Sequence, residues 1–424
     1  MLPAALAATL AAAHAVAAPK LERVVLVQRH GVRSPTSSNA ELARLSAQPW
    51  PAWPVPPGDL TSHGVKTVAL MGRSLRAAYA GAGLIPAGGC PGAGRVVVWA
   101  DGKDERTRRS GQVLAQALAP GCGVRVGWTD PAAPDPIFRG ATEPACRPEP
   151  AAAEAALDRA IGPGGLDTDA TRAALVRLQA IVAPKGCRGG PGMCFAGADT
   201  LATTGAWPKG SGPLFVGASL AEDLLLEYAQ GMPRAEVGWG RASEADIAAV
   251  MALHQRVTGL IRHNPYVAGR AGAAMARLVL AALAGEPGPH SGPGVKLLAL
   301  AGHDTNVLLM AGVFGLDWAL PDEPDYSSPA ETLAFELWRD HGRAFVRPVL
   351  FYEPLDQLRT LSPALARRLP LRFPGCASGP LASCPLGKLR ARLEAVVPAG
   401  CGEAAVGAVG DSAAETAAAS PPRS

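Results

Sequence analysis

The 424-residue sequence has few aromatic residues, a small net charge and no long apolar run beyond its N-terminal segment. Phe, Trp and Tyr make up 5% of the chain, and the formal net charge is +4. So small a charge on a chain of this length lacks the basic excess typical of nucleic-acid-binding proteins. Because no later stretch of about 18 apolar residues occurs, we predict no transmembrane helix. We therefore expect neither a nucleic acid nor a membrane as partner.

Several familiar catalytic and metal-binding motifs are also absent from the sequence. It has no Gly-x-x-x-x-Gly-Lys-Ser/Thr phosphate loop, no nucleophile-elbow serine and no His-Glu-x-x-His pair. Acidic residues do not occur at the spacing of a metal site, and no cysteines form a Cys-x-x-Cys pair. We predict that the protein uses no metal ion and no other cofactor.

The N-terminal segment, residues 1–18, is an alanine- and leucine-rich run that ends in small residues before Pro19. This pattern predicts a secretory signal peptide, although no lysine or arginine precedes the run. The alternative is a short uncleaved anchor. An even number of cysteines favours disulfides in an oxidising compartment, so we predict four disulfides in a periplasmic or secreted protein. The eight cysteines are Cys90, Cys122, Cys146, Cys187, Cys194, Cys376, Cys384 and Cys401.

Three apolar runs, 21–28, 95–100 and 295–301, are each followed by polar residues and then by a helical pattern. Buried strands that alternate with helices predict an α/β fold with a mostly parallel central sheet flanked by helices. Ligands bind beyond the carboxyl ends of the strands in such sheets. The polar residues after the three runs are therefore expected to converge on one site.

The pattern becomes helical between residues 146 and 285, which predicts a smaller inserted α-helical domain. The α/β domain is then expected to form from residues 19–145 and 286–401. Residues 402–424 are rich in alanine, serine and glutamate and carry little large apolar surface. We expect this segment to be a disordered tail.

The first run is followed by Arg29-His30-Gly31-Val32-Arg33-Ser34-Pro35. Guanidinium groups bind phosphate oxygens in pairs, and a neutral imidazole can attack phosphorus. The alternative is an exposed basic turn that contains a histidine by chance. Five such fixed positions are expected by chance in roughly one chain in ten thousand at ordinary residue frequencies. The pattern therefore predicts phosphate chemistry on His30, with Arg29 and Arg33 as phosphate ligands.

The other two runs are followed by Arg106 and by His303-Asp304. Arg106 opens a helix, where free backbone amides favour an anion, but position alone does not separate it from Arg108 or Arg109. Asp304 is suited to donate a proton to a leaving alkoxide, or it simply caps the following helix. His303 is expected to add a further phosphate ligand.

These motifs resemble the histidine acid phosphatase branch of the phosphoglycerate-mutase-like superfamily, and within it the bacterial periplasmic phytases and glucose-1-phosphatases. The resemblance extends over essentially all of residues 20–401. Beyond the two histidine motifs it includes residues 50–55, 60–61, 100–108, 228–233, 238–240 and 301–306.

The resemblance implies a substrate cleft between an α/β domain and a smaller α-domain. It implies that His30 is the nucleophile, forming a phosphohistidine, and that Asp304 is the proton donor. The implied phosphate ligands are Arg29, Arg33, Arg106 and His303, with Arg106 selected by its place in an Asp-Glu-Arg-Thr string. The implied disulfides are Cys90–Cys122, Cys146–Cys401, Cys187–Cys194 and Cys376–Cys384.

The resemblance also indicates a substrate pocket. Thr36, Glu222 and Thr305 match pocket residues of the phytases, but Ser37 stands where those enzymes have a basic residue. We predict a monomeric acid phosphatase that hydrolyses a small phosphate ester, in the first place myo-inositol hexakisphosphate (phytate). The alternatives are a glucose-1-phosphatase or broad-specificity sugar-phosphate phosphatase, a non-catalytic phosphate-binding relative and a mutase.

Overall fold

The computed structural model describes residues 18–205 and 207–403. The predicted signal peptide up to residue 17 and the predicted tail from residue 404 lie outside the described residues. The strands are β1 (Lys20–Arg29), β2 (Val96–Ala100), β3 (Val126–Gly127), β4 (Thr200–Ala202), β5 (Lys209–Ser211), β6 (Leu297–Gly302), β7 (Thr332–Asp340), β8 (Arg343–Tyr352), β9 (Arg367–Pro370) and β10 (Cys384–Pro385). The helices are α1 (Asn39–Leu42), α2 (Ser62–Gly81), α3 (Glu105–Leu118), α4 (Pro150–Ile161), α5 (Asp169–Val182), α6 (Pro213–Ala229), α7 (Glu244–Ile261), α8 (Pro265–Ala271), α9 (Ala273–Ala284), α10 (Asp304–Phe314), α11 (Leu355–Thr360) and α12 (Leu386–Val396).

The central sheet has the strand order β10-β8-β7-β1-β6-β2-β3, with β9 paired to β8. Its helix-flanked α/β architecture confirms the predicted fold class. The sheet is mixed rather than mostly parallel, however, because only β1, β6, β2 and β3 run parallel among the described strands. The antiparallel half begins with a hairpin of β7 and β8, closed by a two-residue turn at His341 and Gly342. Both turn residues have positive φ, as such tight hairpins require.

Strand β1 lies in the middle of the sheet and is buried on both faces. Alternate residues of a strand point to opposite faces. Val24 and Leu26 therefore pack with α2 and α3, while Val25 and Val27 pack with α9, α10 and α12. Two hydrophobic layers thus hold the strand that carries the arginine-histidine motif.

The helical region has its own hydrophobic cluster, formed mainly by α5, α6 and α7. Helices α8 and α9, which the sequence assigned to the inserted domain of residues 146–285, pack instead in the cluster against β1. The reason is composition, because α9 is apolar over almost its whole circumference and is buried as a sheet-covering helix. We therefore place the end of the helical region before α8.

The described residues contain four disulfides: Cys90–Cys122, Cys146–Cys401, Cys187–Cys194 and Cys376–Cys384. The predicted number is confirmed, and the pairs are those that the family resemblance implies. Cys146–Cys401 ties the start of the helical region to the C-terminal end of the described chain. Across residues 18–205 and 207–403, no single helix is long and apolar enough to cross a membrane; α8 and α9 reach that length only as a pair bent by 70°.

Candidate active site

The register of the parallel strands brings the three polar loops together. Arg29 pairs with Gly302 across β1 and β6, and Ala100 pairs with Ala301 across β2 and β6. The backbone N–H of His30 donates to the Gly302 carbonyl at 3.0 Å, and that of Asp101 donates to the Ala301 carbonyl at 3.0 Å. The chain segments that follow the three strands therefore leave the sheet side by side.

A cavity of about 490 Å³ opens at this edge of the sheet, between the strand ends and the helical region. Its lining includes every predicted site residue except Arg29. The predicted residues that line it are His30, Arg33, Thr36, Arg106, Glu222, His303, Asp304 and Thr305. The rings of His30 and His303 are 5.7 Å apart between centroids. The cavity is thus where the expected convergence takes place.

His30 is 3% exposed, and its Nδ1 lies 2.8 Å from the Gly31 carbonyl oxygen. Because a carbonyl only accepts hydrogen bonds, Nδ1 carries the proton and Nε2 keeps its lone pair. Burial and the positive charges of Arg106 and Arg29 hold the pKa of His30 well below its ordinary value. These surroundings favour the neutral imidazole, which is the form that can act as a nucleophile.

Gly31 is required by packing against helix α2. A Cβ at Gly31 would lie 2.3 Å from the Gly64 carbonyl oxygen, and a Cβ at Gly64 would lie 2.0 Å from the Val32 carbonyl oxygen. Only two glycines allow the motif loop and the first turn of α2 to approach this closely. The close contact fixes the loop that presents His30.

Arg29 and Arg33 share the carboxylate of Glu222, which lines the cavity. Arg29 donates from Nη2 to Oε1 of Glu222 at 2.5 Å, and Arg33 donates from Nη2 to Oε2 at 3.0 Å. Burial alone would raise the pKa of Glu222, but the two guanidinium groups outweigh it and lower that pKa to about 2. Glu222 lines the cavity, yet both its oxygens are engaged, so its visible role is to position the two arginines.

Arg29 does not line the cavity in the described structure, because its side chain is completely buried. Its Nη1 donates to Oδ2 of Asp325 at 2.6 Å and also to the Ser327 carbonyl oxygen. Its Nε has no hydrogen-bond partner among the described residues. A direct contact between Arg29 and a bound phosphate therefore stays a prediction, and Nε is the donor available for it.

No pattern in the sequence marks Asp325 and Ser327 as residues of the site. They precede β7, which runs antiparallel to β1 and starts where β1 ends, with Thr332 opposite Gln28. Since the β7 strand was missed, the loop before it could not be placed. Recognition of the β7–β8 hairpin in the sequence would have placed this loop, and with it both residues, at the site.

Arg106 and His303 lie next to each other in the lining of the cavity. The Nη2 of Arg106 lies 3.4 Å from Nδ1 of His303, and Nε2 of His303 lies 2.8 Å from Oδ2 of Asp101. Burial raises the pKa of Asp101, but the hydrogen bonds and positive charges of His303 and Arg139 together outweigh burial and lower that pKa to about 2. Asp101 therefore orients the His303 ring, and its position directly after β2 is the signal that sequence reasoning overlooked.

Arg139 lines the cavity and was also missed by sequence reasoning. Its Nη2 lies 2.7 Å from Oδ2 of Asp101 and also pairs with Asp104. Arg108 donates instead to the Gly102 carbonyl, and Arg109 is exposed. The structure thus brings Arg106, and neither neighbouring arginine, to the cavity.

Asp304 is the first residue of α10, where the helix dipole and free amides favour its charged form. Its Oδ1 accepts a hydrogen bond from the Thr305 N–H at 2.7 Å, and Oδ2 pairs with Arg262. Burial favours the neutral acid, but the positive charges of Arg262 and Arg29 outweigh it and hold the pKa of Asp304 well below its ordinary value. Arg262, at the end of α7, has no sequence signal that would have marked it.

Two groups of side chains place possible metal-ligand atoms within 4.8 Å of one another: Asp101, Asp104 and His303, and Glu222, His254 and Asp304. In each group the carboxylates already pair with arginines. Arg139 bridges the first group, and Arg29, Arg33 and Arg262 pair with the carboxylates of the second. A bound cation would have to displace these guanidinium groups, so the donor sets fit an anion site better than a metal site.

The chain is similar to known phosphatases over most of its length. The profile of the histidine phosphatase superfamily (branch 2) matches residues 20–144. Phytase AppA of Escherichia coli (strain K12) is 32% identical over 369 residues, which are 81% of this chain and 83% of that protein. The glucose-1-phosphatase of Salmonella typhimurium is 27% identical over 385 residues, which are 87% of this chain and 91% of that protein.

The fold is similar to those of solved phytases. Hafnia alvei phytase in complex with tartrate has a TM-score of 0.84 and 31% identity, covering 91% of this chain and 99% of that one. The phytase from Citrobacter braakii has a TM-score of 0.83 and 28% identity, covering 90% and 98%. With its strand-end histidines and arginines in one cavity, the chain belongs to the histidine phosphatase superfamily, branch 2.

Proposed function

We propose that the protein is an acid phosphatase that hydrolyses phytate through a phosphohistidine on His30. The observation that carries this proposal is the neutral imidazole whose Nδ1 donates to the Gly31 carbonyl, inside a cavity lined by Arg33 and Arg106. The unprotonated Nε2 is the atom that attacks phosphorus. The phytase relatives and the phytase-like fold support this choice of substrate.

In the first step, Nε2 of His30 forms a bond to phosphorus while the bond from phosphorus to the ester oxygen breaks. Arg33, Arg106 and, through Nε, Arg29 stabilise the negative charge on the equatorial phosphate oxygens. His303, held by Asp101, adds a ligand on the same side. Asp304 gives its proton to the ester oxygen, which leaves as an alcohol.

In the second step, water attacks the phosphohistidine. The Asp304 carboxylate takes a proton from that water, the bond between phosphorus and Nε2 breaks, and inorganic phosphate leaves. His30 is again neutral, and Asp304 holds the proton taken from water until inorganic phosphate has left. The same two side chains therefore serve both steps with opposite proton transfers.

A glucose-1-phosphatase or a broader sugar-phosphate phosphatase is the second candidate function. Ser37 is exposed at the cavity and offers only a hydroxyl where the family resemblance expects a basic residue. The glucose-1-phosphatase relative also supports this alternative. Both functions use the same phosphohistidine chemistry, so they differ only in the part of the substrate that is not cleaved.

The decisive experiment measures phosphate release from phytate, glucose 1-phosphate and p-nitrophenyl phosphate at about pH 4.5. Wild type, His30→Ala and His341→Asn are compared, each with and without EDTA. His341 lies in the exposed β7–β8 turn, away from the cavity, and therefore controls for the loss of a histidine. We expect phytate to give the highest kcat/KM, EDTA to have no effect and His30→Ala to lose at least about 10³-fold in kcat.

Other results of this experiment would identify a different substrate, a different mechanism or a protein without catalytic activity. Turnover of the two small esters alone keeps the mechanism and replaces phytase by sugar-phosphate phosphatase. Loss of activity with EDTA contradicts the predicted metal-independent catalysis. No turnover by folded wild type identifies a non-catalytic phosphate-binding relative.

We also propose that the protein works outside the cytoplasm, as a periplasmic or secreted monomer. The four disulfides support an oxidising compartment. Fractionation of the producing cells and light scattering of the purified protein test the two parts of this proposal.

A further inference from the structure

The ion pair between Arg262 and Asp304 conflicts with the proton that Asp304 must donate. A carboxylate held by a guanidinium group is stable as an anion, whereas a general acid must carry a proton before the ester bond breaks. Burial does not resolve the conflict, because the attraction of Arg262 and Arg29 outweighs it. The substrate-free protein therefore holds Asp304 in the wrong protonation state for the first step.

Arg262 and Asp304 come from opposite sides of the cavity. Asp304 begins α10 at the edge of the sheet, and Arg262 follows α7 in the helical region. Both line the cavity, and their side chains are 29% and 13% exposed. The ion pair is therefore accessible to a ligand that fills the cavity, unlike the fully buried pair of Arg29 with Asp325.

The position of Arg262 determines which part of a substrate it can reach. Asp304 must contact the ester oxygen of the scissile phosphate, so a cation in contact with Asp304 lies beside the carbon atoms next to that oxygen. On an inositol ring with several phosphates, the neighbouring carbon carries another phosphate. A guanidinium group binds a phosphate dianion in preference to a single carboxylate oxygen, since it makes two charge-assisted hydrogen bonds.

We propose that a second phosphate of the substrate draws Arg262 away from Asp304, and that this frees Asp304 to take up the proton it donates. The proton comes from solvent, moves to the carboxylate and then to the leaving ester oxygen as the bond between phosphorus and that oxygen breaks. Arg262 thereby couples recognition of a polyphosphate to the protonation of the acid. The inference rests on the proposed function and specifies how that site distinguishes polyphosphates from monophosphates.

The other charged groups around Asp304 remain when Arg262 moves. They come from β1 and the loop after it, from α6, from α7 and from α3: Arg29, His30, Glu222, His254 and Arg106. The scissile phosphate adds negative charge on the same side and favours the protonated acid. Loss of the Arg262 contact is therefore the change that separates a polyphosphate from a monophosphate substrate.

The test compares phytate with myo-inositol 1-phosphate, which has the same ring and a single phosphate. The dependence of kcat on pH is measured from about pH 3 to pH 7 for wild type, Arg262→Gln and Arg172→Gln. For wild type, we expect the fall of kcat at rising pH to begin at lower pH with the monophosphate than with phytate. This part of the test needs no variant, so it does not depend on how Arg262→Gln folds.

In Arg262→Gln, we expect the monophosphate profile to shift to higher pH and to coincide with the phytate profile. The kcat/KM for phytate should fall about tenfold, since one charge-assisted phosphate contact is lost. Arg172→Gln removes an equal charge from the exposed surface of α5 and should leave both profiles unchanged. Arg262→Lys should retain the wild-type order of the two profiles.

The proposal is wrong if wild type shows the same profile for both substrates, or if Arg262→Gln lowers activity equally on both without a shift. Failure of the proposed function gives another pattern. If wild type does not turn over phytate at all, the substrate is wrong. The shift with myo-inositol 1-phosphate in Arg262→Gln still decides whether Arg262 controls Asp304.

Discussion

The floor and the rim of the cavity are built on different principles. The floor comprises His30, Arg33, His303 and Asp304 with their buried partners Arg29, Asp101, Glu222 and Asp325. The rim comprises Thr36, Ser37, Arg139 and Arg262. Most floor residues follow the ends of sheet strands, while Glu222 lies on α6 and Asp325 in the loop before β7, and they hold one another by charge. Rim residues come from loops and helix ends and are partly or fully exposed.

This difference suggests that the floor serves the chemical step and the rim serves substrate specificity. Charged groups in the floor already have oriented partners before a substrate arrives, which is the preorganisation that stabilises a phosphoryl transition state. We expect rim residues to contact only the part of the substrate that is not cleaved. Changes in the floor should therefore reduce all activities and also stability, whereas changes in the rim should alter one substrate relative to another.

The largest effect is expected from Arg29→Met, which removes the cation between Asp325 and Glu222. Asp325 would then be left as a buried charge without its partner, so we expect the free energy of unfolding to fall by about 3–5 kcal/mol. Activity on every phosphate ester should fall together. Urea denaturation and kcat on p-nitrophenyl phosphate measure both effects, and a stable, active variant would show that the floor is not held in this way.

The next largest effect is expected from Asp304→Asn, and the size of that effect should depend on the leaving group. The amide has the same shape but gives up no proton, so kcat for phytate and myo-inositol 1-phosphate should fall about 10²–10⁴-fold. p-Nitrophenolate leaves without protonation, so kcat/KM for that ester, which reports only the first step, should fall far less than kcat/KM for the two inositol phosphates. Equal losses on all three substrates would argue against a proton-donor role for Asp304.

The floor carboxylates have arginine partners, whereas Asp223 lines the cavity without an ion pair among the described residues. The pH dependence of stability can therefore test what burial does to a carboxylate that has no such partner. Burial raises its pKa to about 7, above the value of roughly 3.9 in an unfolded chain. The folded protein therefore binds the extra proton, and its stability falls as pH rises from about 4 to about 7.

Asp223→Asn removes this titration. The loss of unfolding free energy between about pH 4.5 and pH 7.5 should be about 1–3 kcal/mol smaller in the variant than in wild type. Urea denaturation at the two pH values gives the comparison. An identical loss in both proteins would mean that Asp223 is already charged at low pH.

The smallest effect is expected from Ser37→Lys, which restores a basic residue to the exposed rim. An exposed charge contributes little to the free energy of substrate binding, so we expect KM for phytate to fall only about threefold at low salt. The kcat/KM for p-nitrophenyl phosphate should not change. An equal change for both substrates would place residue 37 against the scissile phosphate and would contradict its assignment to the rim.

Much of the floor could be predicted because strand ends are visible in sequence. The run before His30 and the run before His303 are apolar and uninterrupted, and parallel pairing places their ends together. Arg106 was distinguished from Arg108 and Arg109 only by family resemblance, because three arginines within one helical turn give no local reason to choose. The structure resolves this, since only Arg106 lies near Nδ1 of His303.

The antiparallel half of the sheet was not predicted from the sequence, so the part of the floor that depends on it was not predicted either. Asp325 and Ser327 contact Arg29 across nearly three hundred residues of sequence. Nothing local to those residues indicates a partner. Arg262 and Arg139 were not predicted either, because a lone arginine at a helix end or in a loop is usually a solvated surface residue.

The sequence by itself determined the candidate nucleophile, the candidate acid, the strand ends that carry them and the number of disulfides, because each depends on local patterns of residues. Only the tertiary structure decided that Glu222 joins two arginines, that Arg29 lies beneath the cavity and that Arg262 pairs with Asp304. These features depend on which side chains become buried together. Burial strengthens each charge interaction by removing water, and it is set by the packing of distant segments rather than by any one of them.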